Sequence, residues 1–407
     1  MRASGSGPIN HRWPPRHGFT REPSSLVGPS SILPLSLPEE SLRASHDVPG
    51  LEPLLTIGIP HYKWRRYLEV VLESIFAQDL AAFEIVVSDD SSPDDSAEVL
   101  PAVLRASGRQ FRYYRQGTNL GYDGNVRFCL NAARGRYVML LGNDDALGTP
   151  DTLSRIAAAL AQLQYPEVAF TNFEDWSLPG SVVRRALATR LLGEGIPAAV
   201  RFFRSFSFVS GLIFDSAQAA RFDTDRWDRS VYYQIYLASR IMATGGRLAS
   251  LDIPAVRKDV RVDGKTVVNY ATKVEGAKRS FAPRHTGLDN VIRVAVDGTL
   301  PYVPARARSA TLRRIISQIF TITYPFWLFE YRRVGRWSFA VGIARSMAPR
   351  RLLAEYPLSG IDRAYLTVLF YVVSALGLLL PLGVFTRGRD RVGRFVRQLQ
   401  QRVPARA

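Results

Sequence analysis

From Leu54 onward, short apolar runs alternate with stretches whose apolar residues recur every three or four positions. Leu55-Thr56-Ile57-Gly58-Ile59-Pro60 reads as a buried strand, and Leu68, Val71, Leu72 and Ile75 follow with the spacing of one helix face. Glu84 to Ser88 is a second strand. Ser92-Pro93-Asp94-Asp95 predicts a helix start, with Ser as N-cap, Pro in the first turn and carboxylates at the positive end of the helix dipole. Phe111 to Arg115 is a third strand, and a helix from Gly124 to Ala133 leads to the strand Tyr137–Leu141. Asp151 is placed to cap a helix with Leu153, Ile156, Ala157 and Leu160 on one face, and Val168 to Asn172 is the next strand. Strands and helices in turn, joined by short links, predict an α/β fold with a mostly parallel sheet.

The two ends depart from this pattern. Residues 1–50 are rich in Pro, Ser, Gly and Arg without a sustained period and read as disordered, with no secretory signal. The α/β domain is expected over 51–270, an interfacial helical region over 271–350, and a transmembrane or re-entrant helix with a basic tail over 351–407. Leu312–Tyr331 is aromatic, flanked by Arg313, Arg314, Arg332 and Arg333, and interrupted by Pro325, which suits a segment lying along a membrane interface. Ala364–Phe385 holds no charge, is long enough to cross a bilayer core, and is bracketed by Arg363 and Arg387. Gly377 and Pro381 leave a re-entrant hairpin open.

Charge changes the picture in one respect. Lys and Arg number 53 against 36 Asp and Glu in 407 residues, a net charge of +17, and the excess gathers after Val274. With no recognised basic-aromatic motif, this favours a membrane surface over nucleic acid, which is not expected as a partner. The single cysteine, Cys129, lies in a helical pattern as a small buried hydrophobe, and the five histidines are scattered without zinc-ligand spacing.

The candidate chemistry lies in two acidic clusters at strand ends, Asp89-Asp90 with Asp94, and Asp144-Asp145. The carboxyl edge of an open α/β sheet is where ligands bind. Two acidic ends side by side call for a cation, and a metal-bound, phosphate-bearing ligand is the simplest such partner. Neither a dinucleotide fingerprint nor a phosphate loop is present; Gly117 to Gly124 lacks the required spacing.

Three motifs resemble the inverting family 2 glycosyltransferases. Ile57-Gly58-Ile59-Pro60-His61-Tyr62-Lys63 is similar to that family's opening strand and turn. Glu84-Ile85-Val86-Val87-Ser88-Asp89-Asp90-Ser91-Ser92 is similar to its second strand. Asn119-Leu120-Gly121, Asn131, Ala133, Gly135-Arg136-Tyr137 and Leu141-Gly142-Asn143-Asp144-Asp145 resemble the run into its metal motif. The likeness covers roughly residues 54–260. It implies a GT-A nucleotide-sugar-binding fold with a C-terminal helical membrane-associated region. It implies Pro60 and Tyr62 beside the nucleobase, Asp90 accepting from the base, Asp144 by the ribose, and Asp145 on Mg²⁺ or Mn²⁺.

Two departures stand out. Gly142 occupies a place where the family often has a carboxylate. Gln234, in Tyr232-Tyr233-Gln234-Ile235-Tyr236-Leu237-Ala238-Ser239-Arg240, stands where the family's catalytic Asp is expected. An inverting transfer needs a base to deprotonate the acceptor hydroxyl. Asp228 is the nearest carboxylate in sequence and the candidate base, with Asp225 and Asp223 as further candidates. Asp94 and Asp95 read as solvated or capping groups, and Asp89 is open between the two roles.

The resemblance implies an enzyme of the inner membrane facing the cytoplasm. It would move a sugar from a nucleotide-sugar donor to a lipid-linked or polysaccharide acceptor. A catalytically weak, nucleotide-sugar-binding membrane component of an assembly complex is the alternative. A nucleotidyltransferase shares the sheet and the metal but usually carries a glycine-rich signature after its first strand, which this chain lacks.

Overall fold

The computed structural model describes residues 41–267 and 287–383. The expectations for residues 1–40 and for the basic tail lie outside the described residues. The first half runs β1 (Leu42–His46), β2 (Leu55–His61), α1 (Arg65–Phe76), β3 (Phe83–Asp89), α2 (Ser96–Ala106), β4 (Gln110–Arg115), α3 (Gly121–Ala132), β5 (Tyr137–Leu140), β6 (Ala146–Leu147) and α4 (Thr152–Gln162). It continues with β7 (Val168–Asp175), β8 (Leu178–Val183), β9 (Arg190–Glu194), α5 (Gly195–Phe202), β10 (Leu212–Asp215), α6 (Ser216–Arg221), α7 (Tyr233–Ala243) and β11 (Arg247–Lys258).

These strands form one sheet in the order β1-β4-β3-β2-β5-β10-β7-β11-β6, with β8 on β7 and β9 on β11. The central strands β4, β3, β2 and β5 run parallel, as do β7 and β11. β10 lies antiparallel between β5 and β7. Strand β1 falls inside the stretch expected to be disordered and pairs antiparallel with β4, Ser45 opposite Arg112. Its only buried residue is Ala44, so no apolar run announces it.

The sheet is covered on both faces, because β5 alternates between two cores. Tyr137 and Met139 join the core beneath α1, α2 and α4; Val138 and Leu140 join the core with α3, α5 and α7. One buried polar cluster ties the parallel strands together. Glu84 on β3 accepts from Thr56 Oγ1 of β2 at 2.6 Å, from Arg112 Nη2 of β4 at 2.8 and 3.0 Å, and from the Arg134 N–H at 2.5 Å. Gly135 follows at a point where a Cβ would come within 2.8 Å of the Leu55 and Thr56 backbone, so the turn into β5 requires glycine.

The helix predicted to start at Ser92 starts instead at Ser96. Ser92 is occupied elsewhere: its N–H donates to Asp89 Oδ1 at 2.9 Å, and its hydroxyl accepts from the Lys63 N–H at 2.9 Å.

The C-terminal part is helical: α8 (Leu288–Thr299), α9 (Arg308–Gln318), α10 (Tyr324–Arg333), α11 (Trp337–Ser346) and α12 (Gly360–Leu379). The Leu312–Tyr331 segment turns its apolar face inward. Leu312, Ile315, Ile316, Ile319, Phe320, Tyr324, Leu328 and Tyr331 are buried in the same core as α5 and α7. Pro325 does not break it: one π-helical turn over Ile319–Thr323 joins α9 to α10, and Pro325 sits in the first turn of α10.

Helix α12 packs one stripe on α10. Phe370 stacks on Tyr324 with ring centroids 5.5 Å apart, and the Tyr324 and Ser374 hydroxyls are 2.8 Å apart. Arg332 donates to the carbonyls of Gly377 and Leu380 at 2.6 and 2.8 Å, closing the helix C-terminus with a cation. The helix runs unbroken through Gly377 to Leu379, where the sequence left a hairpin open. A Cβ at Gly377 would meet Leu328 Cδ1 at 2.5 Å, so this glycine serves a close helix contact.

The Glu84–Arg112 pair should behave as a buried pair whose partners cannot be separated. Glu84→Ala is expected to destabilise the fold by about 3–5 kcal/mol in urea denaturation, and Glu84→Met with Arg112→Met to recover most of that loss.

Candidate functional site

The carboxyl ends of β2, β3 and β5 open into one pocket of about 1020 Å³. Pro60, His61 and Tyr62 reach it from the end of β2, Asp90 from the end of β3, and Gly142 to Asp145 from the end of β5. Asn119, Gly121, Tyr122 and Asn125 enter from the start of α3, and Lys258 and Asp259 from the end of β11. The opposite wall is largely apolar, with Phe208, Val209, Leu288, Val291, Ile322, Phe326 and Trp327. Five residues expected at the site, Pro60, Tyr62, Asp90, Asp144 and Asp145, therefore share one cavity.

Asp144 and Asp145 carry its strongest electrostatic feature. Burial, together with the neighbouring carboxylates, pushes Asp144 up to about 8, with Asp145 and then Asp259 as its charged neighbours. Burial first, with Asp259 adding to it, holds Asp145 at about 6. Asp145 is held in place from two sides. Ser210 Oγ donates to its Oδ2 at 2.5 Å, and the Asp259 N–H donates to its Oδ1 at 3.0 Å. The Gly142 N–H in turn donates to Ser210 Oγ at 2.9 Å. A Cβ at Gly142 would lie 3.1 Å from Asp145 Oδ2 and 3.2 Å from Asp144 Oδ1. A third carboxylate at that position would force both apart, which accounts for the glycine.

Among the described residues no cluster of three His, Cys, Asp or Glu side chains forms a closed metal cage. The Asp144–Asp145 pair nevertheless fits a hard divalent cation: it is an oxygen-only donor set whose neighbouring carboxyls disfavour each other's charge until a cation offsets it. Mg²⁺ is ordinarily held by one or two carboxylates and completed by phosphate and water.

The first acidic cluster divides its work. Asp89 accepts from Tyr113 Oη at 2.6 Å and from the Ser92 N–H, a wholly structural role. Asp90 accepts the Leu120 N–H at 2.5 Å and the Gly121 N–H at 3.0 Å, fixing the start of α3 from within the pocket. Asp94 accepts from Ser96 Oγ at 2.5 Å, and Asp95 pairs with Arg65 at 2.7 Å.

His61 is a further pocket residue that the sequence did not single out. Burial lowers it to about 4, so the ring is neutral at physiological pH. Asn143 Nδ2 donates to its Nδ1 at 3.0 Å, which leaves Nε2–H to donate to Ser96 Oγ at 2.9 Å. The ring thereby couples the end of β2 to the Gly142–Asp145 turn.

Asp228, the candidate base, is paired with a cation to one side of the pocket. It does not line the pocket; its Oδ2 accepts from Arg127 Nη1 at 2.8 Å. Asp223 grips the same guanidinium with both oxygens, at 2.8 and 3.0 Å, and accepts from Tyr233 Oη at 2.9 Å. Asp225 lies in the adjacent Asp225–Trp227 turn, also outside the pocket lining. Gln234 does reach the pocket, and its buried Oε1 has no hydrogen-bond partner among the described residues. The carboxylate that the sequence missed at this edge is Asp259, whose backbone is held at φ 61° and whose Oδ2 accepts from Lys258 Nζ at 2.6 Å. It stands in a basic stretch with no apolar run ending at it, so nothing in the sequence marked it.

Asp123 is another residue that the sequence did not single out. It accepts the Val231 N–H at 2.7 Å and the Tyr233 N–H at 3.1 Å. Val231 is β-branched and sits at φ 71°, so this carboxylate holds a strained turn that delivers Tyr232 and Gln234 to the pocket.

Residues 56–208 match the family described as glycosyl transferase family 2. Over these residues the chain carries a family 2 glycosyltransferase domain. It is 39% identical over 106 residues to an uncharacterised protein of Mycobacterium tuberculosis, covering 26% of this chain and 32% of that one. It is 34% identical over 95 residues to the GalNAc(5)-diNAcBac-PP-undecaprenol beta-1,3-glucosyltransferase of Campylobacter jejuni, covering 23% and 31%. The chain thus spans about a third of the length of these curated relatives. In fold it is similar to S. aureus TarS 1–349 in complex with UDP-GlcNAc, with a TM-score of 0.52 at 17% identity over 79% of this chain and 90% of that one. The GT-A-type sheet expected from the sequence is the one observed.

The Asp123 contact generates a test. Asp123→Ala orphans two backbone N–H groups and should destabilise the protein by about 1–3 kcal/mol in urea denaturation. Asp123→Asn, which keeps one acceptor, should cost less.

Proposed function

We propose that this protein transfers a sugar from a nucleotide-sugar donor to a lipid-linked or polysaccharide acceptor, with inversion, at a divalent-metal site. The observation that carries this reading is the pair of half-buried Asp144 and buried Asp145, opening into the same pocket as Pro60, Tyr62 and Asp90. In this reading Pro60 and Tyr62 flank the base, Asp90 accepts from it with lone pairs left by the α3 N–H groups, and Asp144 lies by the ribose. Asp145, oriented by Ser210 and the Asp259 N–H, holds Mg²⁺ or Mn²⁺. The metal, when bound, offsets the charge that develops on the leaving nucleoside diphosphate.

We assign the base to Asp259 in place of Asp228. A base must reach the acceptor hydroxyl through the pocket. Of the pocket carboxylates, Asp90 is engaged by α3, and Asp144 and Asp145 face the cation. Asp259 lines the same pocket from the end of β11, with its Oδ2 accepting from Lys258 Nζ. Gln234 in the family's base position favours the second reading, a weakly catalytic sugar-nucleotide-binding component.

Helix α12 supports attachment to the inner membrane, with the catalytic domain on the cytoplasmic side. Its 20 residues are long and apolar enough to cross a membrane. Its outward stripe of Ile361, Tyr365, Val368, Val372, Leu376 and Leu379 is exposed, while Leu366 and Phe370 face α9 and α10. The name of the Campylobacter relative specifies an undecaprenol-linked acceptor, which fits a lipid substrate here.

A panel of nucleotide sugars with Mn²⁺ should raise the melting temperature of the full chain for one base class, and Asp145→Ala should abolish that metal-dependent gain. No stabilisation by any member would contradict the reading. Asp259→Asn is expected to lower transfer of labelled sugar by about 10²–10⁴-fold with donor binding retained. Asp228→Asn should keep most of the activity. The reverse order would restore Asp228 as the base, and donor binding without any transfer would favour the weakly catalytic component.

A further inference from the structure

One cation in the pocket has no carboxylate to answer it. Arg204 lies on a short 3₁₀ turn, Phe203–Phe206, whose two phenylalanines are fully buried and fix the turn in the core. Its side chain lines the pocket. Nε donates to Thr323 Oγ1 at 3.2 Å, and neither terminal nitrogen has a hydrogen-bond or ion-pair partner among the described residues. The contrast with its neighbours is sharp. Arg185 places its guanidinium on the carbonyls of Thr171, Ser205, Phe208 and Ser210. Lys258 pairs with Asp175 and Asp259.

A desolvated guanidinium is costly unless an anion completes it. Burial alone pulls Arg204 down, to about 10, and no carboxylate offsets it, which sets it apart from the Asp144–Asp145 end of the pocket. It still carries its full charge at neutral pH. Its surroundings belong to the other wall. Thr323, which anchors Nε, sits on the segment that also presents Ile322, Phe326 and Trp327 to the cavity. On its far side that segment packs through Phe320 and Tyr324 onto Phe370 of α12. A fixed cation therefore adjoins an apolar wall that is continuous with the helix bearing the exposed apolar stripe.

We propose that Arg204 binds a phosphate of the acceptor, and that the hydrocarbon next to that phosphate lies against Ile322, Phe326 and Trp327. The inference rests on the glycosyltransferase reading and deepens it, by selecting a lipid phosphate or diphosphate over a neutral polysaccharide. Arg204 holds the acceptor in place and takes no part in the bond exchange. A guanidinium suits this task because it matches phosphate oxygens with two parallel N–H donors.

The test measures binding of farnesyl phosphate, farnesol and inorganic phosphate to the detergent-solubilised full chain, by titration calorimetry, for wild type, Arg204→Gln and Arg204→Lys. The binding of UDP and of GDP with Mn²⁺ is measured alongside. Wild type should prefer farnesyl phosphate to both farnesol and inorganic phosphate. Arg204→Gln should weaken farnesyl phosphate by about tenfold or more, with farnesol and nucleotide unchanged, and Arg204→Lys should restore part of the loss. Equal affinity of wild type for farnesyl phosphate and farnesol would overturn the proposal, and this arm stands even if Arg204→Gln fails to fold. Weakening of nucleotide instead of farnesyl phosphate would move Arg204 to the donor diphosphate and also overturn it. Failure of every nucleotide sugar to bind would remove the glycosyltransferase reading by a separate measurement.

Discussion

Two neighbouring carboxyls at the end of β5, Asp145 buried and Asp144 half-buried, set the terms for the rest of this structure. Asp144 and Asp145 are both held above the ordinary carboxylate range, chiefly by burial, with Asp145 adding to the shift of Asp144 and Asp259 to both. A fold keeps such a pair only where something compensates it, since uncompensated buried charge is costly. The surrounding geometry keeps the pair close. Gly142 leaves no side chain between them, Ser210 and the Asp259 N–H orient Asp145, and neutral His61 positions Asn143 in the same turn. In the proposed reading the compensation comes from outside, as a cation that brings phosphate with it.

The scaffold exists to hold that edge still. Parallel strands β4, β3, β2 and β5 bring Asp90, Pro60 and the Gly142–Asp145 turn to one side of the sheet. Glu84 locks three of them through Thr56, Arg112 and the Arg134 N–H. Helices after residue 287 close the opposite wall. Their apolar face is shared between the core and the pocket, and among the described helices α12 turns an apolar stripe outward. The acidic edge and the apolar wall thus meet in one cavity but are built by different parts of the chain.

What was legible in the sequence follows from physical signal strength. β2, β3, β4, β5 and β7 are runs of buried residues, and a strand covered on both faces cannot hide its composition. The acids at their ends were equally plain. β1 was missed because Ala44 is its only buried residue, and β10 because four residues between a turn and helix α6 carry no period. The Leu312–Tyr331 segment was misread for a different reason: an aromatic, Arg-flanked face looks the same whether it meets lipid or protein, and here it meets α5, α7 and α12. Asp228 illustrates the limit of proximity in sequence. It stands near the expected base position, yet the Arg127 guanidinium claims it, and Asp259, distant in sequence, reaches the cavity. Asp123 and Arg204 act through backbone strain and desolvation, which leave no mark in a linear pattern.

The central claim is that external positive charge completes the Asp144–Asp145 pair together with a diphosphate. Electron paramagnetic resonance of Mn²⁺ tests it most directly, by following loss of the free-ion signal as protein is added with and without nucleoside diphosphate, and by ³¹P hyperfine coupling in the bound state. The account predicts weak Mn²⁺ binding to the protein alone, much tighter binding with the nucleotide, phosphorus coupling in that ternary complex, and loss of the complex in Asp144→Asn with Asp145→Asn. A nucleotide that binds with no change in Mn²⁺ affinity and no phosphorus coupling would contradict it.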